Sequence, residues 1–159
     1  MKIRKVTLED AADMAVLLNE IIRIGGTTAI TVELSDAAMN ELIKKNEAQA
    51  AWHLADDNGA VKGFQWIAPH PELPPEICDI ATFVKVGATK SGIGSKLMAA
   101  TVKAAKELGY TQINARIRAD NEGGLTYYTR QGFTDFDTAK GIKIGDGTIV
   151  DKVIKRRAI

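Results

Sequence analysis

Residues 89–110 read "TKSGIGSKLMAATVKAAKELGY" and come just after the apolar run "DIATFVKV" of residues 79–86. The run is typical of a buried strand, and residues 92–108 place apolar side chains on one face at helical spacing. Gly92 and Gly94 stand where this helix is predicted to begin. A strand, a glycine turn and a helix N-terminus together favour anions, because the first N–H groups of a helix lack partners inside it. The stretch therefore predicts a pyrophosphate-binding turn.

Two common nucleotide-binding motifs fit this turn poorly. A Walker A loop starting at Gly87 requires Lys and then Ser or Thr after Gly92, but Ile93 and Gly94 stand there. A dinucleotide fingerprint starting at Gly92 requires its third glycine where Leu97 stands, and no acidic residue ends the next predicted strand. The first interpretation fails and the second is weak.

The composition favours one globular domain without a general affinity for polyanions. The chain has 159 residues, and its 21 basic and 20 acidic residues give a net charge of +1. This balance predicts no partnership with nucleic acid or an anionic membrane, so an anion site must be local. A single cysteine, Cys78, and two histidines offer neither a disulfide nor a Cys–His zinc spacing, and we expect no metal. No segment resembles a signal peptide or a membrane span, which predicts a cytoplasmic protein.

The hydrophobic patterns predict an α/β fold with a mixed sheet, in the order β-α-α-β-β-β-α-β-α-β-β. Thr7 and Asp10 form a capping-box pattern that opens the first helix, which is expected to end at Gly25. Ser35 is the predicted N-cap of the second helix. The predicted strands cover residues 2–6, 50–56, 60–68, 76–86, 111–119, 133–139 and 148–157, and the last two helices cover residues 92–108 and 121–131.

A second motif, "NEGGLTYYTRQGF", occupies residues 121–133. It fits Asn-x-x-Ala-x-x-Leu-Tyr-x-Lys/Arg-x-Gly-Phe, with Tyr128 in the tyrosine position and Gly124 replacing alanine. The glycine turn fits Gln/Arg-x-x-Gly-x-Gly/Ala, with Thr89 in the first position. On these motifs, about 30 residues apart, the sequence resembles the GNAT superfamily of acyl-CoA-dependent N-acyltransferases. The resemblance implies a GNAT-like, mostly antiparallel sheet flanked by helices, in one domain over residues 1–159. The stretch "LNEIIRIGGTTA" (18–29) and the acidic residue Asp79 also loosely resemble the phosphinothricin and amino-acid N-acetyltransferase branch.

The resemblance also implies an activity. The expected enzyme is an N-acetyltransferase that moves an acetyl group from acetyl-CoA to a primary amine of a small molecule, by direct transfer in a ternary complex. Thr89 and Lys90 depart from the Gln or Arg and the Gly of the family pattern. These departures motivate an alternative, a non-catalytic acyl-CoA-binding or regulatory module, while a nucleotide-binding domain of another type predicts ATP or NAD as ligand. The basic C-terminal strand ending "IKRRAI" is a candidate edge strand. A basic edge strand either pairs with a second copy or prevents association, and of the two we expect a homodimer.

Acyl transfer needs a neutral amine, a stabilised oxyanion and a proton for the leaving thiolate. The resemblance implies that a backbone N–H near Phe83 or Val84 binds the oxyanion and that Tyr128 is the acid. A phenol with a reference pKa of ~10 stays protonated at neutral pH. Asp79 lies on the central strand and faces the same side of the sheet as Phe83. Asp79 is either the base or a solvated or ion-paired strand residue, and His70, which we expect to be exposed, is a second candidate base.

The remaining site predictions follow from these positions. Tyr127 is expected only to pack, Cys78 to be a packed thiol, and Asn121 to cap its helix or to bind the pantetheine arm. Predicted acceptor contacts are Thr28, Glu33 and Asp79, and the predicted acetyl-CoA contacts are Phe83, Val84, Val86, Thr89, Lys90, Ser91, Gly92, Ile93, Gly94, Ser95, Lys96, Asn121 and Tyr128.

Overall fold

Seven strands form a single sheet in the order β1-β2-β3-β4-β5-β7-β6, and helices cover both faces of the sheet. The computed structural model describes residues 1–88 and 91–159. The element order is the predicted one. The elements are β1 (Lys2–Lys5), α1 (Ala11–Ile24), α2 (Asp36–Lys44), β2 (Ala51–Asp57), β3 (Ala60–Ala68), β4 (Ile77–Val84), α3 (Ile93–Glu107), β5 (Gln112–Arg118), α4 (Glu122–Arg130), β6 (Thr134–Lys143) and β7 (Ile149–Ala158), with short 3₁₀ helices at Leu8–Asp10 and Glu47–Gln49.

The residues predicted to cap the first two helices do so in the structure. The Asp10 carboxylate accepts a hydrogen bond from the Thr7 N–H at 2.7 Å, and the Ser35 hydroxyl accepts one from the Ala38 N–H at 3.1 Å. Helix α1 stops at Gly25, whose φ of 75° lies in the left-handed region that glycine tolerates. Local chemistry thus sets where α1 and α2 begin and end.

The end of the sheet differs from the prediction in two ways. Strand β6 continues to Lys143, beyond the predicted end at residue 139, because the register with β7 shifts between Ala139 and Ile142 and pairing then resumes. The C-terminal strand β7 lies between β5 and β6, so the prediction that it forms an edge is wrong. The predicted homodimer therefore loses that basis and stays a prediction.

The two faces of β4 look into different parts of the core. Ala81 and Phe83 pack with the α1 and α2 side, whereas Ile80 packs in the cluster that contains Tyr128 of α4. Side chains alternate along a strand, so Asp79 shares the face of Ala81 and Phe83, as predicted. Strand β4 therefore separates two chemically different environments.

An opening separates β4 from β5 at their C-terminal ends. The two strands are parallel and pair from Ile77↔Gln112 to Ile80↔Ala115. Beyond that point, within the described residues, 81–84 pair only with β3 and 116–118 pair only with β7. We call this gap the β4–β5 opening.

Among the helices that the structure describes, none has the length and apolar character needed to cross a membrane.

Candidate active site

Backbone groups of β4 alternate between the β3 edge and the β5 edge. The Lys85 N–H donates to the Lys62 carbonyl on the β3 side at 2.9 Å, and the Glu76 carbonyl accepts from the Thr111 N–H on the β5 side at 2.9 Å. Successive residues of a strand point their N–H and C=O groups to opposite edges. Odd-numbered residues of β4 therefore face β3, and even-numbered residues face β5.

This alternation distinguishes the two backbone groups predicted to bind an oxyanion. The N–H of Phe83 points toward β3, where Phe83 pairs with Phe64. The N–H groups of Thr82 and Val84 point into the β4–β5 opening. Val84 is therefore the better placed of the two predicted residues, and Thr82 is a further donor that the sequence analysis did not single out.

The N-terminus of α3 lies just beyond the opening. Gly92 is its N-cap, with a left-handed φ of 77°, and no acidic residue stands in the first turn. The side chain of Ile93 is buried in the core, so Ile93 can offer a ligand only its backbone N–H. The side chains of Ser91, Lys96 and Val86 are exposed, and the predicted contacts Thr89 and Lys90 lie outside the described residues.

Gly94 has a packing role that the sequence analysis did not foresee. A Cβ at this position would lie 2.6 Å from Cε1 of Tyr127. The Tyr127 hydroxyl also donates to the Gly94 carbonyl at 2.7 Å. Tyr127 therefore packs as expected, and in addition its hydroxyl fastens α4 to the first turn of α3.

Tyr128 is buried, with 7% of its surface exposed. Its hydroxyl lies 2.8 Å from Oγ1 of Thr82, at the start of the β4–β5 opening, and its ring packs edge-on against Phe133. Burial raises the pKa of the Tyr128 phenol, and the hydrogen bond with Thr82 opposes that shift. The phenol therefore holds its proton at neutral pH.

Gln65 completes a polar cluster under Tyr128. Its side chain is fully buried, and Nε2 donates to Thr82 Oγ1 at 2.9 Å and to the Tyr127 hydroxyl at 3.0 Å. The sequence analysis missed Gln65. The available signal was an amide inside the otherwise apolar end of the strand segment "GFQWIA", at a position facing the core.

Asp79 lies on the opposite face of β4 from Tyr128. Its carboxylate accepts a hydrogen bond from Asn114 Nδ2 at 2.9 Å and lies 3.6 Å from Nε of Arg116. Burial raises the pKa of Asp79, while Asn114, Arg116, His70 and Lys152 oppose the increase. Asp79 is thus a partly buried, ion-paired carboxylate whose proton affinity exceeds that of an ordinary aspartate.

A cavity of about 180 Å³ adjoins Asp79 on the α2 side of the sheet. Asp79, Ala81 and His70 line it together with Trp52 and Trp66, whose rings stack with centroids 4.1 Å apart. His70 is half-buried, not exposed as expected, and its Nδ1 lies 2.8 Å from Nη2 of Arg116. The cavity therefore combines an aromatic wall with the Asp79 carboxylate, the His70 imidazole and the Lys45 side chain.

The loop between α1 and α2 closes on the end of β5. Arg118 donates to the Thr28 carbonyl at 3.1 Å, and Asn121 Nδ2 donates to the Thr27 carbonyl at 3.1 Å. The Asn121 side chain also caps α4 by accepting from the Gly124 N–H at 3.0 Å. Both ends of the Asn121 amide are thus engaged within the protein, and capping is the role that the structure places on it.

Three further positions singled out in the sequence have local explanations. A Cβ at Gly124, where the family pattern has alanine, would lie 2.5 Å from Asn121 Nδ2, so the cap itself favours glycine. Glu33 is largely exposed and pairs with Arg23 of α1. The Cys78 thiol is buried, and burial raises its pKa to about 12, which confirms the expectation of a packed thiol.

The fold is that of known N-acetyltransferases. The ribosomal-protein-alanine N-acetyltransferase from Brucella melitensis matches with a TM-score of 0.90 and 20% identity, over 100% of both chains. The phosphinothricin acetyltransferase from Sinorhizobium meliloti, solved with acetyl-CoA, matches with a TM-score of 0.87 and 19% identity, over 99% of this chain and 88% of that one. At these identities the likeness establishes the fold, and it confirms the predicted fold class.

Sequence similarity identifies the family. The profile of the acetyltransferase (GNAT) family matches residues 20–133, so the chain belongs to this family. Mycothiol acetyltransferase from Pseudarthrobacter chlorophenolicus is 34% identical over 85 residues, which are 52% of this chain and 26% of that protein. The match thus spans about a quarter of the length of this curated relative. The family resemblance seen in the two motifs is confirmed.

Proposed function

We propose that the protein is an N-acetyltransferase that moves the acetyl group of acetyl-CoA to a primary amine of a small molecule, directly within a ternary complex. One observation carries the proposal. A buried phenol, Tyr128, and a carboxylate of raised pKa, Asp79, lie on opposite faces of β4 next to the β4–β5 opening. A proton donor and a proton acceptor thus flank one cleft.

The described residues fit acetyl-CoA. The N–H groups of Thr82 and Val84 point into the opening, where β5 does not pair with them. The first N–H groups of α3 have no partner inside the helix, and its first turn carries no acidic side chain, which suits a pyrophosphate. When bound, acetyl-CoA supplies a thioester whose carbonyl carbon is open to attack by an amine. The Val84 N–H would hydrogen-bond to the carbonyl oxygen as it gains negative charge.

Tyr128 supplies the acid. Its phenol is protonated across the physiological range because burial raises its pKa. Its hydroxyl contacts Thr82, the first residue beyond the last β4–β5 pair whose N–H points into the opening. Tyr128 therefore donates its proton to the departing sulfur of coenzyme A.

Asp79 supplies the base. An alkylammonium must lose a proton before it attacks, and the efficiency of a carboxylate base rises with its pKa. The raised pKa of Asp79 serves this task, and Asn114 holds its carboxylate in place at 2.9 Å. Asp79 takes the ammonium proton from an acceptor bound in the adjoining cavity.

The charges around the cavity favour an acceptor that carries an anionic group beside its amine. Arg116, Lys152 and Arg156 share the sheet face of Asp79 through the registers of β4, β5 and β7. Glu72 pairs with Arg116 at 3.1 Å, so these three cationic groups stand against two carboxylates, those of Asp79 and Glu72. Carboxylate-bearing amines should therefore be better acceptors than polyamines, which carry only positive charge.

The test begins with isothermal titration of the protein with acetyl-CoA, using coenzyme A, ATP and NAD as parallel titrants. Saturable binding of acetyl-CoA and coenzyme A alone is expected. Thiol release is then followed with a panel of amino acids, aminoglycosides, polyamines and an alanine-initiated peptide. Binding without thiol release from any amine would favour a non-catalytic module.

Tyr128→Phe tests the acid directly. We expect kcat to fall by about 10²-fold or more, with little change in the affinity for acetyl-CoA, because general acid catalysis typically contributes this much. Tyr110→Phe is the matched control, because the hydroxyl of Tyr110 is bonded to the Gln49 carbonyl at 2.6 Å in another part of the core. Unchanged kcat in Tyr128→Phe would exclude Tyr128 as the acid.

A further inference from the structure

A buried hydrogen-bonded chain connects Tyr128 to the first turn of α3. Thr82 lies between Tyr128 and Gln65, at 2.8 Å and 2.9 Å, and Gln65 in turn contacts the Tyr127 hydroxyl at 3.0 Å. Tyr127 ends the chain by donating to the Gly94 carbonyl at 2.7 Å. The members come from β3, β4, α3 and α4, so the chain ties together the elements around the opening.

The direction of each hydrogen bond follows from the Gly94 end. A carbonyl only accepts, so the proton of the Tyr127 hydroxyl is committed to Gly94. The Tyr127 oxygen must then accept from Gln65, which orients the amide with Nε2 between Tyr127 and Thr82. Both N–H bonds of Gln65 are thereby used, and Thr82 Oγ1 is an acceptor toward Gln65.

Two hydroxyl protons in the hydrogen-bonded chain remain to be placed, those of Thr82 and Tyr128. Apart from the bond with Gln65, the side-chain contact of Thr82 Oγ1 at hydrogen-bond distance within the described residues is the one with the Tyr128 oxygen at 2.8 Å. A buried hydroxyl proton without an acceptor is costly, so Thr82 donates to Tyr128. The proton of Tyr128 then has no acceptor among the described residues and can be donated into the opening.

We propose that Thr82 and Gln65 are positioning residues that set Tyr128 as the proton donor of the reaction, an inference that rests on the proposed function. Gln65 fixes the Thr82 hydroxyl as a donor to the phenol oxygen. As the O–H bond of Tyr128 breaks and an S–H bond forms on coenzyme A, the hydrogen bond from Thr82 stabilises the phenolate that remains. The acylated nitrogen releases its second proton to water, and the Tyr128 phenolate regains a proton from water, which restores the protonated phenol.

The Gln65 amide has one buried atom, Oε1, that makes no hydrogen bond within the described residues. The reverse orientation of the amide would place Oε1 toward Tyr127 and Thr82 and let it accept from both hydroxyls. Tyr127 would then lose its bond to Gly94, and Thr82 would turn its proton away from Tyr128. The observed orientation keeps both hydroxyls in the directions that the proposed role needs.

The experiment is a double-mutant cycle between Thr82→Val and Tyr128→Phe, with kcat and KM measured by thiol release from acetyl-CoA and the best amine of the panel. Valine matches the shape of threonine but lacks the hydroxyl. Thr82→Val should lower kcat about tenfold or more with the KM for acetyl-CoA within twofold, and Thr82→Ser should recover kcat to within about threefold of the original protein. In the Tyr128→Phe background, Thr82→Val should cause no further loss, because Thr82 acts through the phenol.

Thr101→Val is the matched control. Thr101 is fully buried on α3, and its Oγ1 lacks a partner among the described residues. The same substitution at Thr101 therefore breaks none of the hydrogen bonds between Tyr128 and Gly94. It should keep kcat within twofold. This control separates loss of the Thr82 hydrogen bond from the general effect of removing a buried hydroxyl.

Three results would overturn the proposal in distinguishable ways. If Thr82→Val keeps kcat within twofold while Tyr128→Phe lowers it, the acid role stands and the positioning role of Thr82 is refuted. If the losses of the two variants multiply, Thr82 acts on structure independently of Tyr128. If Tyr128→Phe is fully active, or no amine is acetylated, the proposed function fails and the positioning role fails with it.

Discussion

Gly94→Ala is predicted to destabilise the protein relative to Gly123→Ala, although both change the second residue of a helix. Alanine is better than glycine inside a helix by about 1 kcal/mol, and both variants receive the same gain. At Gly123 the nearest atom to a new Cβ is Asn121 Oδ1 at 3.8 Å, an ordinary contact. Gly123→Ala should therefore stabilise the protein by up to about 1 kcal/mol.

At Gly94 the same Cβ would lie 2.6 Å from Cε1 of Tyr127 and 3.3 Å from Cδ1 and Cζ. The ring resists displacement, because its hydroxyl is bonded to the Gly94 carbonyl at 2.7 Å and to Gln65 at 3.0 Å. Overpacking of this kind costs about 1–3 kcal/mol. The two variants should therefore differ by about 1–3 kcal/mol in the free energy of unfolding, which is roughly 2–12 °C in Tm for a chain of this size.

Thermal unfolding by circular dichroism measures this difference with both variants in one buffer. The reasoning is refuted if Gly94→Ala raises Tm by the same amount as Gly123→Ala. In that case Gly94 would be glycine only because a side chain obstructs the ligand, and Gly94→Ala would weaken acetyl-CoA binding without loss of stability. Titration with acetyl-CoA on the same samples separates the two explanations.

Two more predictions concern Asp79 and Thr101. Asp79→Asn should abolish or strongly lower acetylation. In the original protein, the acid limb of kcat/KM should lie above the ordinary aspartate pKa of ~3.9, because burial raises the pKa of Asp79. When the pKa of a carboxyl is higher in the folded state than in the unfolded state, the protein loses stability as pH rises from the unfolded pKa through the folded pKa. At pH 7, above the unfolded pKa of Asp79, this loss is present, so Asp79→Asn should be at least as stable as the original protein. A lower Tm for Asp79→Asn at pH 7 would show that the contact with Arg116 at 3.6 Å outweighs burial. Thr101→Val replaces a buried hydroxyl that has no partner in the described part of the chain, and it should raise the free energy of unfolding by about 1 kcal/mol, while a fall in Tm would contradict the lack of a partner.

Much of the fold could be predicted from local patterns. Period-two and helical repeats predict the order of strands and helices, and the capping residues Thr7, Asp10 and Ser35 stand at the helix starts that the structure shows. These signals are readable because each depends on neighbours a few residues away. The same holds for the glycine turn before α3 and for the placement of Asp79 on the face of Phe83.

The site was only partly predictable, because its geometry depends on pairings between distant segments. Gln65 and Tyr127 are 62 residues apart, and Thr82 and Tyr128 are 46 residues apart, so no local pattern signals either contact. A polar residue in an apolar strand was the one hint for Gln65.

By itself, the sequence determined the elements, their order and the family, because helix and strand periodicity, caps and the two motifs are written in short windows of residues. Only the tertiary structure decided that β7 lies inside the sheet and that β4 and β5 separate after Ile80 and Ala115. It also decided that the backbone N–H of Val84, rather than that of Phe83, points into the β4–β5 opening. These features follow from which strand edge meets which, and edge pairing is a property of the assembled sheet that no single strand encodes.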